Sequence, residues 1–378
     1  MNRLTKVNVN SIINPSNFGG VEMRKLNVAI IGQGRSGYSI HGAHFKTDTG
    51  RFCVKYIVDA IKERREKAER EFGCETFENY QALFDKKDEI DFVVNASFSW
   101  DHYPVTLDLL RHGFNVITEK PLAATPEEAD ELIKVAKENG CMIAPFQQSR
   151  LAPYFKKVQE VIASGKLGRI VAVNIAFSGF ARRWDWQTIQ DNVAGSLYNT
   201  GPHPVDQALV LLGGTEIPEI FCKMDRATTF GDAEDYVKLI MTLPGRPLID
   251  LEISSSNAYP FGTYNIQGTQ GGLWGTITEL KWKYFDPEKA PEQHLIRTPL
   301  TSPEGNPAYC GEQLPWVEES WTAGEGETPF VSAVRDFYTT VLEHLLLGKP
   351  LYIHAEEVRR QIAVIKKCHE LNPLDKFC

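Results

Sequence analysis

Three groups of residues have types and spacings suited to chemistry. The first is "IIGQGRSG" (30–37), where Gly32, Gly34 and Gly37 form G-x-G-x-x-G between an apolar run and a helical pattern. In that setting the first glycine permits a tight turn, the second lets the backbone approach a pyrophosphate, and the third lets helix and strand pack closely. The helix start, with Arg35 and Ser36 in the same turn, offers N–H groups and the positive end of a dipole to phosphates. Asp59 ends the next apolar run, at the spacing of a ribose-binding acid. A carboxylate there accepts from the ribose hydroxyls and repels a 2′-phosphate, so the expected cofactor is NAD in preference to NADP. Arg64 and Arg65 lie just beyond; they read as a solvated helix face, or as side chains able to reach a phosphate.

The second group is "NVITEKPLA" (115–123). Glu119 and Lys120 end a short apolar run, and Pro121 fixes the backbone after them. In an open α/β sheet ligands collect at the carboxyl ends of strands, so both charges would face the cofactor crevice. A lysine there can hold a substrate hydroxyl as it loses its proton, and partial desolvation suits it to proton transfer. The structural alternative is a surface ion pair. The third group is "GSLYNTGPHPVD" (195–206), preceded by "RRWDWQ" (182–187). His203 has the side chain that ordinarily titrates near neutral pH. Asn199 donates and accepts hydrogen bonds but carries no charge. Pro202 and Pro204 bracket His203, so regular helix is not expected across 199–205. Six of the seven tryptophans lie beyond residue 150. Trp184 or Trp186 could stack on a sugar face, with Arg183 and Asp185 as nearby polar groups; the alternative is packing against a sheet.

These groups need a frame to hold them. The chain has 378 residues, which makes two domains the default. Strand-like runs at "LNVAIIG", 52–59, 90–97, "NVITE" and 141–146 alternate with helical patterns at 61–73, 101–113 and 125–140. Alternation of this kind predicts βαβ units and a doubly wound, six-stranded parallel sheet over about residues 24–148. From residue 149 to 378 the pattern changes. A helix over 153–164 leads into long successive strands at "RIVAVNIAFSG", "YVKLIMTLP", "PLIDLEISSS", "TYNIQGTQ" and "GTITELKWKYF", with helices at about 329–347 and 355–370. This predicts an α+β domain with a mainly antiparallel sheet. Residues 286–327, rich in Pro, Gly and Glu, read as an excursion: a lid, an oligomer contact or a plain long loop. Residues 1–23 read as a loose extension, with Met23 a possible start of the working domain.

A net charge of -8 without a strongly basic segment argues against nucleic acid as a partner. The seven cysteines are scattered, without a CxxC, which predicts reduced thiols in a cytoplasmic protein and neither a disulfide framework nor a metal site. No apolar run is long enough to span a bilayer, and residues 1–22 lack the apolar core of a signal peptide.

"EKP" after the fifth strand, the glycine motif at the first and "GSLYNTGPHPVD" together resemble the glucose–fructose oxidoreductase, inositol dehydrogenase and MocA-like (Gfo/Idh/MocA) family, from about residue 26 to the helical tail. "ASFSWDH" (96–102) is similar to the family's A-T-P-x-x-x-H stretch under the nicotinamide, which implies cofactor contacts from Ala96, Ser97 and His102. "QSRLAP" (148–153) resembles the segment crossing between domains, which implies a contact from Gln148; Glu119 and Lys120 join this cofactor set. The resemblance further implies that Lys120 is the catalytic lysine, that His203 is the base, and that Asn199 stands where the common family pattern has Asp, with Asp206 in place. It also implies an open sheet in the second domain, often buried against a partner subunit, hence a homodimer or homotetramer. The expected activity is NAD-dependent hydride transfer at a secondary alcohol of a sugar, glycoside or cyclitol. Lys120, Asn199, His203 and the Arg183–Trp186 stretch would hold that small molecule. The alternatives are an NAD-dependent glycosidase working through transient sugar oxidation and a non-catalytic NAD- and sugar-sensing regulator.

Overall fold

The computed structural model describes residues 24–377, so the readings of residues 1–23 lie outside the described residues. The first sheet holds β1 (Leu26–Ile31), β2 (Phe52–Val58), β3 (Glu75–Phe77), β4 (Phe92–Asn95), β5 (Val116–Thr118) and β6 (Ile143–Pro145). Their order is β3-β2-β1-β4-β5-β6 and every pairing is parallel. Val28 to Ile30 and Phe92 to Val94 are fully buried, as expected of strands covered on both faces. Five of the six strands are the apolar runs of the sequence. The sixth, β3, is three residues at the sheet edge, too short and too exposed to leave a pattern.

The connecting helices follow from local chemistry. After the glycine loop the chain winds through Gly37–Gly42 into α1 (Ala43–Thr47), and α2 (Lys62–Phe72) and α3 (His102–Arg111) cross between later strands. In α4 (Pro126–Glu138), Thr125 Oγ1 accepts from Glu128 N at 3.2 Å while Glu128 Oε2 accepts from Thr125 N at 3.3 Å. This reciprocal box, with Pro126 in the first turn, satisfies two donors that a helix start otherwise leaves free.

Beyond α5 (Pro153–Ala163) lie β7 (Ile170–Ser178), α6 (Ser196–Asn199) and α7 (Pro202–Leu212). They are followed by β8 (Glu219–Asp225), β9 (Tyr236–Thr242), β10 (Leu248–Ser254), β11 (Tyr264–Gly268), β12 (Gly271–Gly275) and β13 (Glu279–Tyr284). Next come β14 (Leu300–Thr301), β15 (Pro307–Ala308), β16 (Val317–Thr322), α8 (Pro329–Leu347) and α9 (Ala355–Leu371). The large sheet is ordered β16-β13-β12-β11-β7-β10-β9-β8, antiparallel throughout except for β10 on β7. The loop reading of 286–327 fails at its end, where β16 pairs with β13. "VEESWT" alternates but is mostly polar, because an edge strand buries little. The expectation of no regular helix over 199–205 holds only at the break between α6 and α7. From Pro202 onward the chain is helical, since proline is tolerated in a first turn.

One face of the large sheet is buried through residues such as Leu239, Leu251, Ile175 and Leu280. The register places Phe221, Ile240, Asp250, Asn174, Asn265, Trp274 and Lys281 side by side on the other face, where Phe221 is 63% exposed. The two cores do not divide at residue 149. Val334, Phe337, Tyr338, Val341 and Leu342 of α8 pack into the core of the first sheet, so the chain returns to its first half after building its second. Among the described residues no helix is long and apolar enough to cross a membrane.

Candidate active site

The strand order reverses between β1 and β4, and the loops leaving the carboxyl ends of the first sheet converge there. Gly32 has φ +88°, and a Cβ on it would lie 2.3 Å from Ala96 O; a Cβ on Gly37 would lie 1.8 Å from Gly32 O. Both positions therefore require glycine. Gly34 has nothing within 4 Å of where its Cβ would be, so the backbone there is open to a ligand. Asp59 accepts from Gln33 N at 2.7 Å and from Ile61 N at 2.8 Å, which ties the glycine loop to the end of β2. Arg35 is exposed at the tip of the turn, and Ser36 precedes the first helical residue. Arg64 and Arg65 are not merely a solvated face: Arg64 Nη1 is 3.4 Å from Asp59 Oδ2, and Arg65 Nη1 donates to the carbonyls of Asp59 and Ala60.

The next loop is held from beneath. Ser97 donates to Asn95 Oδ1 at 2.6 Å, and buried His102 reaches Pro121 O at 2.8 Å and Ser97 O at 3.3 Å. His102 therefore joins the loop after β4 to the segment carrying Lys120. Gln148, after β6, carries a buried Oε1 with no partner among the described residues. The open backbone at Gly34, the carboxylate at the end of β2 and this unpartnered amide oxygen fit a dinucleotide laid across the crevice.

Glu119 and Lys120 are adjacent but part company. Glu119 is 3% exposed; its Oε1 lies 3.1 Å from His41 Nε2, and Oε2 accepts from Lys120 N at 3.1 Å. His41 Nδ1 in turn lies 2.6 Å from Tyr338 Oη of α8. Burial acts to raise the Glu119 carboxyl, but the His41 hydrogen bond and the surrounding His41, Lys120 and His102 bring it down to about 2. The Glu119 carboxylate is taken up by a buried network, because a carboxylate so enclosed needs partners. Lys120, joined to Pro121 by a cis peptide, is half-buried. Its Nζ donates to Asn199 O at 2.7 Å and to Asn199 Oδ1 at 2.9 Å. Burial lowers its pKa from the ordinary lysine value, Glu119 opposes this, and Arg35 and Arg183 add to it.

The second half of the chain closes over this lysine. His203 Nδ1 is 3.1 Å from Ser149 Oγ. Burial first, and then the charge of Lys120, push the imidazole down to about 3, so the expectation of a titration near neutral pH is corrected to a histidine that stays neutral. Gln187 Nε2 reaches Asn199 Oδ1 at 3.5 Å, and Gln187 Oε1 accepts from Arg183. Asp185 pairs with Arg183 at 2.7 Å and caps its own turn through Gln187 N at 2.9 Å. The tryptophans separate. Trp186 packs edge-on against Phe98 at 5.2 Å and Trp100 at 5.3 Å, so three aromatic rings join the loop after β4 to the second half. Trp184 is 78% exposed and meets none of them. The structure thus brings together Lys120, Asn199, His203 and Arg183.

Sequence reasoning missed Gln187, Ser149, His41 and Tyr338. The partners of Ser149, His41 and Tyr338 are distant in the chain, while Gln187 meets Arg183 and Asn199 close by in a loop with no regular spacing to mark it. Asp206 anchors the crossing segment: Arg150 Nε donates to Asp206 Oδ2 at 2.9 Å, while Nη2 reaches Asp206 Oδ1 and Nη1 reaches Glu357 Oε2. A separate groove of about 520 Å³, between Pro126, Ile220 and α9, holds none of these side chains.

Residues 26–147 match the model of an oxidoreductase family with an NAD-binding Rossmann fold, and residues 155–274 match the GFO/IDH/MocA C-terminal domain. The chain is 28% identical over 360 residues to the uncharacterized oxidoreductase YhhX of Escherichia coli K12, covering 91% of this chain and 96% of that protein. It is 25% identical over 231 residues to scyllo-inositol 2-dehydrogenase (NADP(+)) IolW of Bacillus subtilis, covering 59% of this chain and 63% of that protein. Its fold resembles the WlbA dehydrogenase of Bordetella pertussis, solved with NADH and UDP-GlcNAcA, with a TM-score of 0.73 at 17% identity over 95% and 99% of the two chains.

Proposed function

Since the chain belongs to the GFO/IDH/MocA oxidoreductase family and carries its NAD-binding Rossmann domain, we propose that it oxidises or forms a secondary alcohol on a sugar, glycoside or cyclitol. The observation that carries this reading is Lys120 Nζ at the carboxyl end of β5, held by Asn199 in the same crevice as His203. With its pyrophosphate held at the glycine loop, NAD would supply the nicotinamide carbon that accepts or gives hydride. Lys120 holds the alcohol oxygen and stabilises it as charge develops. In the tautomer whose Nδ1–H donates to Ser149 Oγ, His203 Nε2 presents the lone pair that takes the hydroxyl proton. Fixing oxygen and base on one frame removes much of the entropic barrier. The inositol dehydrogenase relative supports a polyol substrate. The partner we infer is a second copy of the chain, seated on the open face that bears Phe221 and Trp274 and forming a homodimer or homotetramer. The test of activity is NADH absorbance over a panel of sugars, glycosides and inositols; growth of the band supports the reading, and NADH binding without turnover on any of them supports a sensing role instead.

Asp59 sets the expected cofactor preference. Titrations followed by fluorescence quenching are expected to give tighter binding of NADH than NADPH, and Asp59→Asn is expected to narrow the gap by about 1.5–3 kcal/mol, the value of a hydrogen bond to a charged group. Equal affinities in the unmodified protein would contradict the role given to Asp59 and give Arg64, beside it, the deciding voice.

The pH profile follows from His203. The base must be neutral, so kcat/KM for oxidation rises only as pH climbs through its pKa. With that pKa near 3, activity has no acidic limb at the ordinary imidazole position. Asn199→Asp puts an anion beside Lys120 and His203, favours the imidazolium, and should move the limb upward by about 1–3 pH units. An unmoved limb that also survives in His203→Ala would assign the base to another group.

A further inference from the structure

Resting on the reading just given, we propose that Gln187 is a positioning residue: clamped by Arg183, it fixes the orientation of the Asn199 amide, so that Asn199 holds Lys120 through Oδ1 and keeps Nδ2 for the substrate oxygen. The chain of contacts runs in one sense. A guanidinium has donors only, so the Gln187 atom that meets Arg183 Nη2 is the carbonyl Oε1. That leaves Gln187 Nε2 facing Asn199, and a donor there selects Asn199 Oδ1, at 3.5 Å. The ammonium of Lys120 is also donor-only and selects the same atom at 2.9 Å. Two cations, one at each end, thus fix two amides that alone could point either way. Asn199 Nδ2 donates to no described residue, so it is presented as a donor beside the lysine that holds the reacting oxygen. The matching substrate group is an acceptor: a carbonyl, ether or carboxylate oxygen next to the reacting carbon. Aspartate, the residue of the common family pattern, could not donate there.

The test reads Lys120 without any substrate. Acetic anhydride labels unprotonated amines, and peptide masses report each lysine, with exposed Lys62 and Lys281 as internal references. The charged groups facing Lys120 are Glu119, Arg35 and Arg183, the neutral His203 lies beside them, and all stay in place in the variants. In Gln187→Ala the Asn199 side chain loses the contact that steadies Oδ1 on the ammonium; Lys120 is expected to label roughly three- to tenfold faster than in the unmodified protein, the range of one weakened or lost hydrogen bond. In Gln187→Glu a carboxylate faces the pair and the ammonium is favoured, so labelling is expected to slow. NADH binding, followed by quenching, is expected to hold in both variants, because the glycine loop and Asp59, which carry the dinucleotide contacts, are left in place. Lys120 labelling equally in all three proteins overturns the proposal. So does a change of the same direction and size in both variants, which would report a loosened loop. The proposed activity stands or falls separately, on turnover in the unmodified protein.

Discussion

Lys120→Ala is expected to lower kcat by about 10²- to 10⁴-fold, the range for one positioned proton-transfer or charge-stabilising group, while NADH affinity changes by no more than about twofold. The reason is where the ammonium stands. It is half-buried, is held by two oxygens of Asn199, and lies at the end of the strand that delivers it to the crevice. Its interaction with the alcohol oxygen strengthens as that oxygen becomes negative, so its loss falls on kcat more than on KM. Lys120→Arg keeps the charge but replaces a compact ammonium with a planar fork, and is expected to restore little. Steady-state rates on the best sugar of the panel, beside NADH quenching, give both numbers. Near-normal turnover in Lys120→Ala would remove the lysine from the chemistry.

Asp206→Ala is expected to cost about 3–5 kcal/mol in unfolding free energy, the cost of removing one partner of a buried ion pair. Arg150 sits in the segment crossing between the two sheets, and both charged groups of the pair are almost fully buried. The Asp206 and Glu357 carboxylates outweigh the burial of the guanidinium and hold its pKa above the ordinary arginine value. Burial acts on Asp206 in the opposite sense, yet a group that does not deprotonate, bonded to both of its oxygens, keeps the pair ionic. Glu357 retains one contact after the mutation, which places the expected loss toward the lower end. Urea unfolding of Asp206→Ala, with Arg150→Met/Asp206→Ala beside it, measures this; the double variant should recover part of the loss, since no charge is then left buried. A loss below about 1 kcal/mol in the single variant would show that Arg150 reaches solvent or another acceptor.

The parallel sheet was legible because each of its inner strands is an apolar run between helical patterns. The Thr125–Glu128 box could be read to the residue. Gly32, Gly37 and Asp59 were legible for a similar reason: a local motif states a local backbone requirement. Strands β3, β8, β12 and β16 were not, since edge position, glycine content or one open face removes the apolar signal. The network that takes up the Glu119 carboxylate was not legible, because its partner His41 and the Tyr338 that His41 meets in turn come from opposite ends of the chain. His203 was recognisable as a candidate base, but its depressed pKa depends on burial and on Lys120, neither of which a spacing records.

Hydride transfer is tested most directly by following the hydrogen itself. A panel sugar that supports NADH formation is prepared with deuterium on the carbinol carbon, and the cofactor is recovered for mass analysis. Direct transfer predicts reduced cofactor carrying one deuterium from the sugar and none in Lys120→Ala over the same interval. Unlabelled NADH, or a cleaved or dehydrated product formed with no net gain of reduced cofactor, would contradict the proposal of net alcohol oxidation at this site.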